Sequence, residues 1–274
     1  MTDGSSSSGQ PPVRIDTSVP QSARIWNYWL GGKDNYPVDR AAGDQYRAVF
    51  PGIIDVARAS RRFLTRVVGF LAGEAGVRQF LDVGTGLPTA ENTHQVAQRV
   101  APSSRVVYVD NDPLVLAHAR ALLTSSPEGA TEYVHADLRE PEAIVAAAGG
   151  VLDLSRPVGL MLMGILGHVG EYEEARSIVR RLLGGLVSGS WLAINDGTNV
   201  VSPAFVVAQE GYNRSGAVPY HLRSPREIAG FFEGLVVVEP GVVSCPRWRP
   251  DPAEVAAGGV PAEVDAFGGV GQKP

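Results

Sequence analysis

An α/β fold organised on a doubly wound, mostly parallel sheet is what this sequence predicts, and three observations carry the prediction. The first is the stretch Gln79-Phe80-Leu81-Asp82-Val83-Gly84-Thr85-Gly86-Leu87-Pro88-Thr89, which reads as a short buried strand, a glycine turn and the approach to a helix. The second is an alternation of short apolar runs with segments of helical period through the middle of the chain. The third is an acid at the tip of each early strand: Asp82, Asp110 and Asp137. Composition agrees, since 274 residues with 44% hydrophobic and 19% charged suit one α/β domain with an appendage.

Charge and cysteine usage narrow the partners. The formal net charge is -5 and no basic block stands out, so no nucleic-acid partner is expected. Cys245 is the single cysteine; no internal disulfide is expected, and the residue reads as a small buried hydrophobe in a reducing compartment. No apolar stretch is long enough to span a membrane. Residues 1–12 are rich in Ser, Gly and Pro without the features of a signal peptide, and residues 1–18 are expected to be disordered. A cytoplasmic location follows by default. One cysteine and five scattered histidines offer no metal cluster. Neither a Walker phosphate loop nor a Gly-x-Ser-x-Gly elbow occurs.

Residues 19–75 precede the first strand and read as a helical lobe able to close over the strand ends. Ile25, Trp26, Trp29 and Leu30 have helical spacing and stop at Gly31-Gly32. A second helix is expected over 38–50 and one or two more over 53–75, with Phe63, Val67, Phe70 and Leu71 on one face. The remainder, 76–274, carries the sheet. At its first turn, Gly84 and Gly86 permit backbone angles that a side chain forbids and let a ligand lie against the main chain. Pro88 suits the first turn of a helix expected over 90–100. A Gly-x-Gly turn follows many strands for structural reasons, and it is also how doubly wound proteins hold nucleoside cofactors. Thr89 occupies the third position of the dinucleotide pattern Gly-x-Gly-x-x-Gly. Asp82 would repel a diphosphate and attract an α-ammonium group. Both details favour S-adenosylmethionine over NAD.

A strand over 105–109 ends at Asp110, which is placed to accept hydrogen bonds from ribose hydroxyls of either cofactor. Asn111 and Asp112 line that ribose, or cap the helix opening at Pro113; the residues leave both open. After a strand over 132–135, Asp137 is placed to accept from an adenine amine, to cap a helix over 140–148, or both. The apolar run 158–163 reads as a central strand covered on both faces, ending at Gly164-Ile165-Leu166-Gly167-His168. Met161 and Met163 are expected in the core. His168 is the histidine best placed for acid–base work, with a structural histidine as the other reading. A helix over 171–183, a strand over 191–194, a helical stretch within 198–211 and a loop over 212–223 follow. Ser224, Pro225 and Glu227 open a helix over 225–232 as a capping box. Residues 235–238 and 242–247 read as a hairpin-like antiparallel pair broken by Pro240-Gly241. The tail is rich in Ala, Gly and Pro, with Val264, Phe267 and Val270 as anchors.

The segment Ala23-Arg24-Ile25-Trp26-Asn27-Tyr28-Trp29-Leu30-Gly31-Gly32-Lys33-Asp34-Asn35-Tyr36, followed by Asp39-Arg40-Ala41, resembles the opening of an actinobacterial family of S-adenosylmethionine-dependent methyltransferases. That family was formerly known as a domain of unknown function. Residues 80–89, 106–113 and 136–139, and the closing Phe267-Gly268-Gly269-Val270 through Lys273-Pro274, are similar too. The resemblance runs from about residue 19 to the C-terminus, and Gly31-Gly32-Lys33-Asp34-Asn35 is its most diagnostic part.

The resemblance implies a Rossmann-like, seven-stranded methyltransferase sheet, its seventh strand inserted antiparallel, and transfer of a sulfonium methyl to a small-molecule acceptor. The expected cofactor shell is Asp82, Gly84, Thr85 and Gly86 toward the amino-acid part, Asp110 and Asn111 on ribose, Asp137 and Leu138 at adenine, and Gly164 below the sulfonium. Tyr28, Lys33 and Asn35 are expected to reach from the lobe to the cofactor carboxylate or the acceptor, while Trp26 and Trp29 pack the lobe. His168 and Tyr28 are the candidates for catalysis. The acceptor pocket is expected among Thr198, Asn199, Tyr212, Asn213, Tyr220, His221 and Arg223. Two other readings compete. One is an NAD-linked oxidoreductase, opposed by Thr89, Asp82 and the lack of a Tyr-x-x-x-Lys pair; the other is a module that binds S-adenosylmethionine without catalysis.

Overall fold

Successive residues of a strand point to opposite sides, and here both sides are apolar. In β1 (Gln79–Val83), Phe80 joins one buried cluster while Leu81 and Val83 join another. The same split divides Val106 and Tyr108 from Val107 and Val109 in β2 (Arg105–Asp110). It recurs in β4 (Gly159–Met163), where Met161 faces one way and Leu160 and Leu162 the other, and in β5 (Trp191–Gly197). A sheet apolar on both faces must be covered on both. The structure, a computed structural model, describes residues 15–89, 91–122 and 124–274. Most of the disordered lead-in expected over residues 1–18 therefore lies outside the described residues, as does Ala90.

One face is covered by α1 (Ser22–Trp29), α2 (Pro37–Val49), α3 (Ile53–Gly73), α4 (Thr93–Val100) and α8 (Pro203–Tyr212). The other is covered by α6 (Pro141–Ala148), α7 (Tyr172–Gly184) and α9 (Pro225–Gly230). At the edge, α5 (Pro113–Leu122) and β3 (Ala130–His135) are joined by a small third cluster of Leu87, Leu114 and Val115. Ile15, Ala23 and Tyr36 pack on that cluster, so the start of the lobe lies against the loop after β1. Helix α3 is one continuous helix of 21 residues. Its Phe63, Val67 and Leu71 are wholly buried, and Phe70 stacks edge-on against Trp191 and Trp248.

From the edge at β3 the strand order runs β2, β1, β4 and β5, all parallel, and continues into C-terminal strands. The antiparallel insertion is β8 (Ala266–Gln272), which pairs with β5 from Trp191↔Gln272 to Gly197↔Ala266. This corrects the expectation for the C-terminus. Strands β6 (Val236–Val237) and β7 (Val243–Ser244) do not form a hairpin with each other; both run antiparallel along the outer edge of β8, as two pieces of one interrupted strand. The tail that looked like a loose anchor is an interior strand, and its glycines answer to packing. A Cβ on Gly268 would lie 2.5 Å from the Ile194 carbonyl oxygen and 2.8 Å from the Phe63 ring. A last helix, α10 (Pro252–Gly258), precedes this strand.

Two helix starts also differ from expectation. Helix α4 begins at Thr93, so Pro88 lies in a loop rather than a first helical turn. Asn92 ends that loop: its side chain accepts from Thr89 N at 3.0 Å, and its own N–H donates to Gln95 Oε1 at 2.9 Å. The N-cap position of α6 is held by Glu140, without a side-chain cap hydrogen bond, and not by Asp137. The capping box Ser224–Glu227 at α9 is present as expected.

Candidate functional site

Strand order reverses between β1 and β4, and in open α/β sheets the ligand crevice lies there, at the carboxyl ends of the strands. A deep cleft opens at that place, lined by the tips of β1, β2, β4 and β5 and roofed by α1, α3 and α8. Gly84 (φ +75°) and Gly86 (φ +64°) turn the chain beneath it. Gly84 N donates to the Val109 carbonyl at 2.8 Å, and Gly86 N donates to Asp110 Oδ2 at 2.8 Å, which pins the turn to the tip of β2. A Cβ on Gly84 would meet the Ile165 side chain at 2.4 Å, so the two walls approach to main-chain distance.

Acids surround this corner. Asp110 is buried; its Oδ1 accepts from Asp112 N at 2.9 Å, and burial raises its pKa against its backbone donors. Each of its oxygens keeps capacity for another donor. Asp82 Oδ2 accepts from Thr93 Oγ1 at 2.6 Å. Burial pushes Asp82 up to about 6, opposed by Thr93 and by the charge of Arg61 from α3. At the far end, Asp137 accepts from Arg139 N at 2.8 Å and from Asn111 Nδ2 at 3.3 Å, beside buried Leu138. Gly164 (φ +72°) donates to the Asn195 carbonyl at 2.8 Å and faces open space. Asp112 is not among the lining residues: its Oδ1 accepts from Leu114 N at 2.8 Å, the capping role.

The structure brings Asp82, Gly84, Thr85, Gly86, Asp110, Asn111, Asp137, Leu138, Gly164 and His168 into this one cleft. It leaves Tyr28, Lys33 and Asn35 out. Tyr28 Oη donates to Asp44 Oδ1 at 2.8 Å on the outer side of the lobe, and Lys33 is exposed. Asn35 Nδ2 donates to Asn27 Oδ1 at 2.9 Å and to the Gly32 carbonyl at 3.0 Å, so its amide is spent on the lobe itself. Asn27 Oδ1 also accepts from Asp34 N at 3.0 Å, and a Cβ on Gly32 would fall 2.4 Å from the Asn27 amide. The physical reason is helical phase. α1 turns Ser22, Ala23, Ile25, Trp26, Asn27 and Trp29 to the cleft, and Tyr28 falls on the far side.

Sequence reasoning missed Asn27, Arg61 and Asp196 as lining residues, along with most of an aromatic wall, in which Trp26, Trp29, Tyr46 and Phe205 join Tyr212. The spacing of Ser22, Trp26 and Trp29 held the signal for the wall. Asp196 Oδ1 accepts from Tyr220 Oη at 2.5 Å and from Gly167 N at 3.4 Å, and Arg223 Nη1 lies 3.8 Å from Oδ2. Burial pushes Asp196 up to about 6 against the pull of Tyr220 and Arg223. Of the acceptor residues expected from sequence, Tyr212 and Tyr220 line the cleft. Asn213 holds Tyr220 by its backbone, accepting from its N–H at 2.9 Å and donating to its carbonyl at 3.0 Å. Arg223 is buried behind, donating to the Leu166 and Val169 carbonyls. Thr198, Asn199 and His221 do not line the cleft. Among the described residues, no group of three or more His, Cys, Asp or Glu could hold a metal ion.

A family model described as S-adenosyl methyltransferase matches residues 8–274. Two solved structures are similar over nearly their whole length. A DUF574 family protein from Streptomyces avermitilis MA-4680 is 46% identical, with 95% of this chain and 100% of that one covered and a TM-score of 0.88. A candidate methyltransferase from Thermobifida fusca YX is 39% identical, with 94% and 96% covered and a TM-score of 0.84. An O-methyltransferase family 2 protein from Planctomyces limnophilus DSM 3776 shares the fold at 16% identity, with 86% and 65% covered and a TM-score of 0.51. No curated protein matches the chain.

Proposed function

Since the chain belongs to the S-adenosyl methyltransferase family, we propose that it transfers the methyl group to a small-molecule acceptor held between the helical lobe and the sheet. By family and fold it is an S-adenosylmethionine-dependent methyltransferase. The observation that carries the reading is the single cleft that joins the Gly86–Asp110 corner to the aromatic wall. S-adenosylmethionine supplies an electrophilic methyl on a sulfonium.

The residues at the corner fit that cofactor better than a dinucleotide. A pyrophosphate needs the N-terminus of the helix after the turn, and here α4 begins only at Thr93, its first turn closed by Asn92 and Gln95. Asp82 and Asp110 concentrate negative charge where a diphosphate would lie and an ammonium group would be welcome. In this assignment Asp82, Gly84, Thr85 and Gly86 hold the amino-acid part, Asp110 and Asn111 the ribose, and Asp137 and Leu138 the adenine. Gly164 keeps the wall below the sulfonium free of a side chain.

Methyl transfer requires the acceptor atom in line with the breaking bond, so most of the acceleration comes from positioning. The lobe, read as residues 19–75 over a sheet domain of 76–274, supplies the roof that excludes water. A cytoplasmic setting accords with the free, buried Cys245 and with the absence, among the described residues, of a helix long and apolar enough to cross a membrane. Calorimetric titration tests the cofactor site: heat is expected with S-adenosylhomocysteine and none with NADH. The reverse result would return the oxidoreductase reading.

A further inference from the structure

The acceptor half of the cleft has a chemistry of its own. α1, α2 and α8 turn the rings of Trp26, Trp29, Tyr46, Phe205 and Tyr212 toward it. The rings meet edge to face in a chain: Trp26–Trp29 at 5.8 Å between centroids, Trp29–Tyr46 at 5.1 Å, Tyr46–Phe205 at 6.1 Å and Tyr46–Tyr212 at 6.4 Å. Such a wall offers a ligand broad, rigid apolar area with little entropy to lose.

Most polar groups beside the wall are already committed, while Asn195 Nδ2 and Asp196 Oδ2 are buried with no hydrogen-bond partner among the described residues. Tyr46 Oη donates to Gln209 Oε1 at 3.1 Å, and Gln209 Nε2 donates to Asn213 Oδ1 at 3.0 Å. Asp196 is held between Tyr220 and Arg223. The guanidinium groups that line the cleft belong to its cofactor half, Arg61 beside Asp82 and Arg139 beside Asp137. A charged acceptor would lose its hydration here without meeting a free counter-ion.

His168 stands where the two halves meet. Its ring packs edge-on to Tyr220 at 5.1 Å, and its carbonyl accepts from Arg139 Nη2 at 3.1 Å. Nδ1 lies 2.9 Å from the Pro219 carbonyl oxygen. A carbonyl only accepts, so Nδ1 carries the proton and the lone pair of the neutral ring is on Nε2. Among the described residues, nothing hydrogen-bonds that nitrogen.

We propose that the chamber takes a flat, uncharged aromatic acceptor bearing a hydroxyl, and that His168 Nε2 removes the hydroxyl proton as the methyl is transferred. The proposal rests on the methyl-transfer reading above. The O–H bond breaks toward Nε2 and the oxygen electron pair forms the O–CH3 bond. The pair of the S–CH3 bond leaves with sulfur as a neutral thioether, so the positive charge passes from sulfonium to imidazolium. Burial, Arg139 and His221 all hold the ring below its ordinary pKa, and the Pro219 carbonyl opposes them. The other charged groups near the ring are paired: Glu174 and Asp137 with Arg139, and Asp196 with Arg223. A base must be neutral to act, so turnover rises with pH through the His168 pKa and is level above it.

The test is transfer of label from tritiated S-adenosylmethionine to uncharged phenols, from 2-naphthol to three-ring flavonoids. 2-Naphthoate and 2-naphthylmethylamine serve as charged counterparts. Methylation at oxygen of phenols and not of the charged pair is expected. His168→Ala and His168→Gln should lower kcat by about 10²–10⁴-fold, leave phenol KM and the S-adenosylhomocysteine Kd within about twofold, and abolish the acid limb of the pH profile. Trp26→Ala should instead raise phenol KM by about tenfold. Preference for a charged member, no transfer to any phenol, or an unchanged pH profile in His168→Gln would each overturn the proposal. Calorimetry with S-adenosylhomocysteine separates the two levels. No heat there removes the methyl-transfer reading itself, whereas heat without phenol transfer removes only the acceptor and its base.

Discussion

Two glycine-bearing turns, Gly84-Thr85-Gly86 after β1 and Gly31-Gly32 after α1, use the same backbone freedom to opposite ends. At the first, the missing Cβ lets main chain approach Ile165, while the N–H of Gly86 reaches Asp110 at the floor of the cleft. At the second, Gly31 (φ +81°) reverses the chain so that Gly32 packs on the Asn27 amide, which in turn gathers Asp34 and Asn35. The first turn opens onto the cleft; the second closes on itself. The block most diagnostic of the family is therefore the lobe's own scaffold, and the site depends on it through the face that α1 presents. A signature can mark a fold element as readily as a binding residue.

If that contrast holds, variants in the lobe should change stability and variants at the glycine corner should change cofactor affinity. The largest effect is expected for Asp39→Ala. Asp39 is fully buried and accepts from Gln21 N at 2.9 Å and Tyr36 N at 2.8 Å, with the Arg24 guanidinium 3.2 Å away. Removing it strands Arg24 and should cost about 3–5 kcal/mol in urea unfolding. A cost below about 1 kcal/mol would mean that this knot does not hold the lobe.

The sheet half should answer to pH. Asp82 has a folded pKa raised by burial to about 6, above its ordinary 3.8. The folded state thus binds its proton first, so this group's penalty grows as pH rises between those values and is constant above. Relative to Asp82→Asn, the wild type should gain stability by about 1.4 kcal/mol per pH unit on descending from 6 toward 5. Parallel unfolding curves at pH 7 and pH 5, with no change in the difference, would contradict the burial of this charge. Asp110→Ala should come next, weakening S-adenosylhomocysteine binding by about 1–3 kcal/mol through lost charge-assisted hydrogen bonds, as read by calorimetry. An unchanged Kd would remove Asp110 from the ribose.

The corner was legible in the sequence because its signals are local. Each strand and its own tip acid follow one another within a few residues, as do β1 and its turn glycines, and each keeps its role in any doubly wound sheet. The lobe and the acceptor half were less legible. Whether Asn27 or Tyr28 faces the cleft is settled by helical phase against α2 and α3, which no local pattern states. Strand β8 was read as a tail because Gly268, Gly269 and Gly271 lack the β-branched signal of a strand. Their smallness is demanded by Phe63, Val242 and Phe232, residues distant in sequence. Asp196 was hidden for a related reason: only the return of the 212–223 loop brings Tyr220 and Arg223 to it.

Within the signature block, Asn35→Ala should be milder than the changes above. It removes two donated hydrogen bonds inside the lobe and should cost about 1–2 kcal/mol of stability, with the S-adenosylhomocysteine Kd shifted by less than about twofold. A fall in affinity larger than the fall in stability would place Asn35 in contact with the cofactor after all.

The smallest expected effect is the sharpest test of the contrast. Lys33 sits in the middle of the most diagnostic block, and a cation there invites the idea that it meets the cofactor carboxylate. In the structure its side chain is exposed and outside the cleft, while neighbouring Asp34 leans toward His118 of α5 at 3.7 Å. An exposed, unengaged side chain contributes within about 0.5 kcal/mol to stability. Lys33→Ala should therefore unfold with the wild-type midpoint and bind S-adenosylhomocysteine with a Kd unchanged at both low and high salt. A salt-dependent loss of about tenfold would instead show that the lobe turns to bring Lys33 over the amino-acid end when ligand is bound. The second glycine turn would then be a hinge for a binding residue, and the division between a turn that serves the ligand and one that serves the lobe would fall.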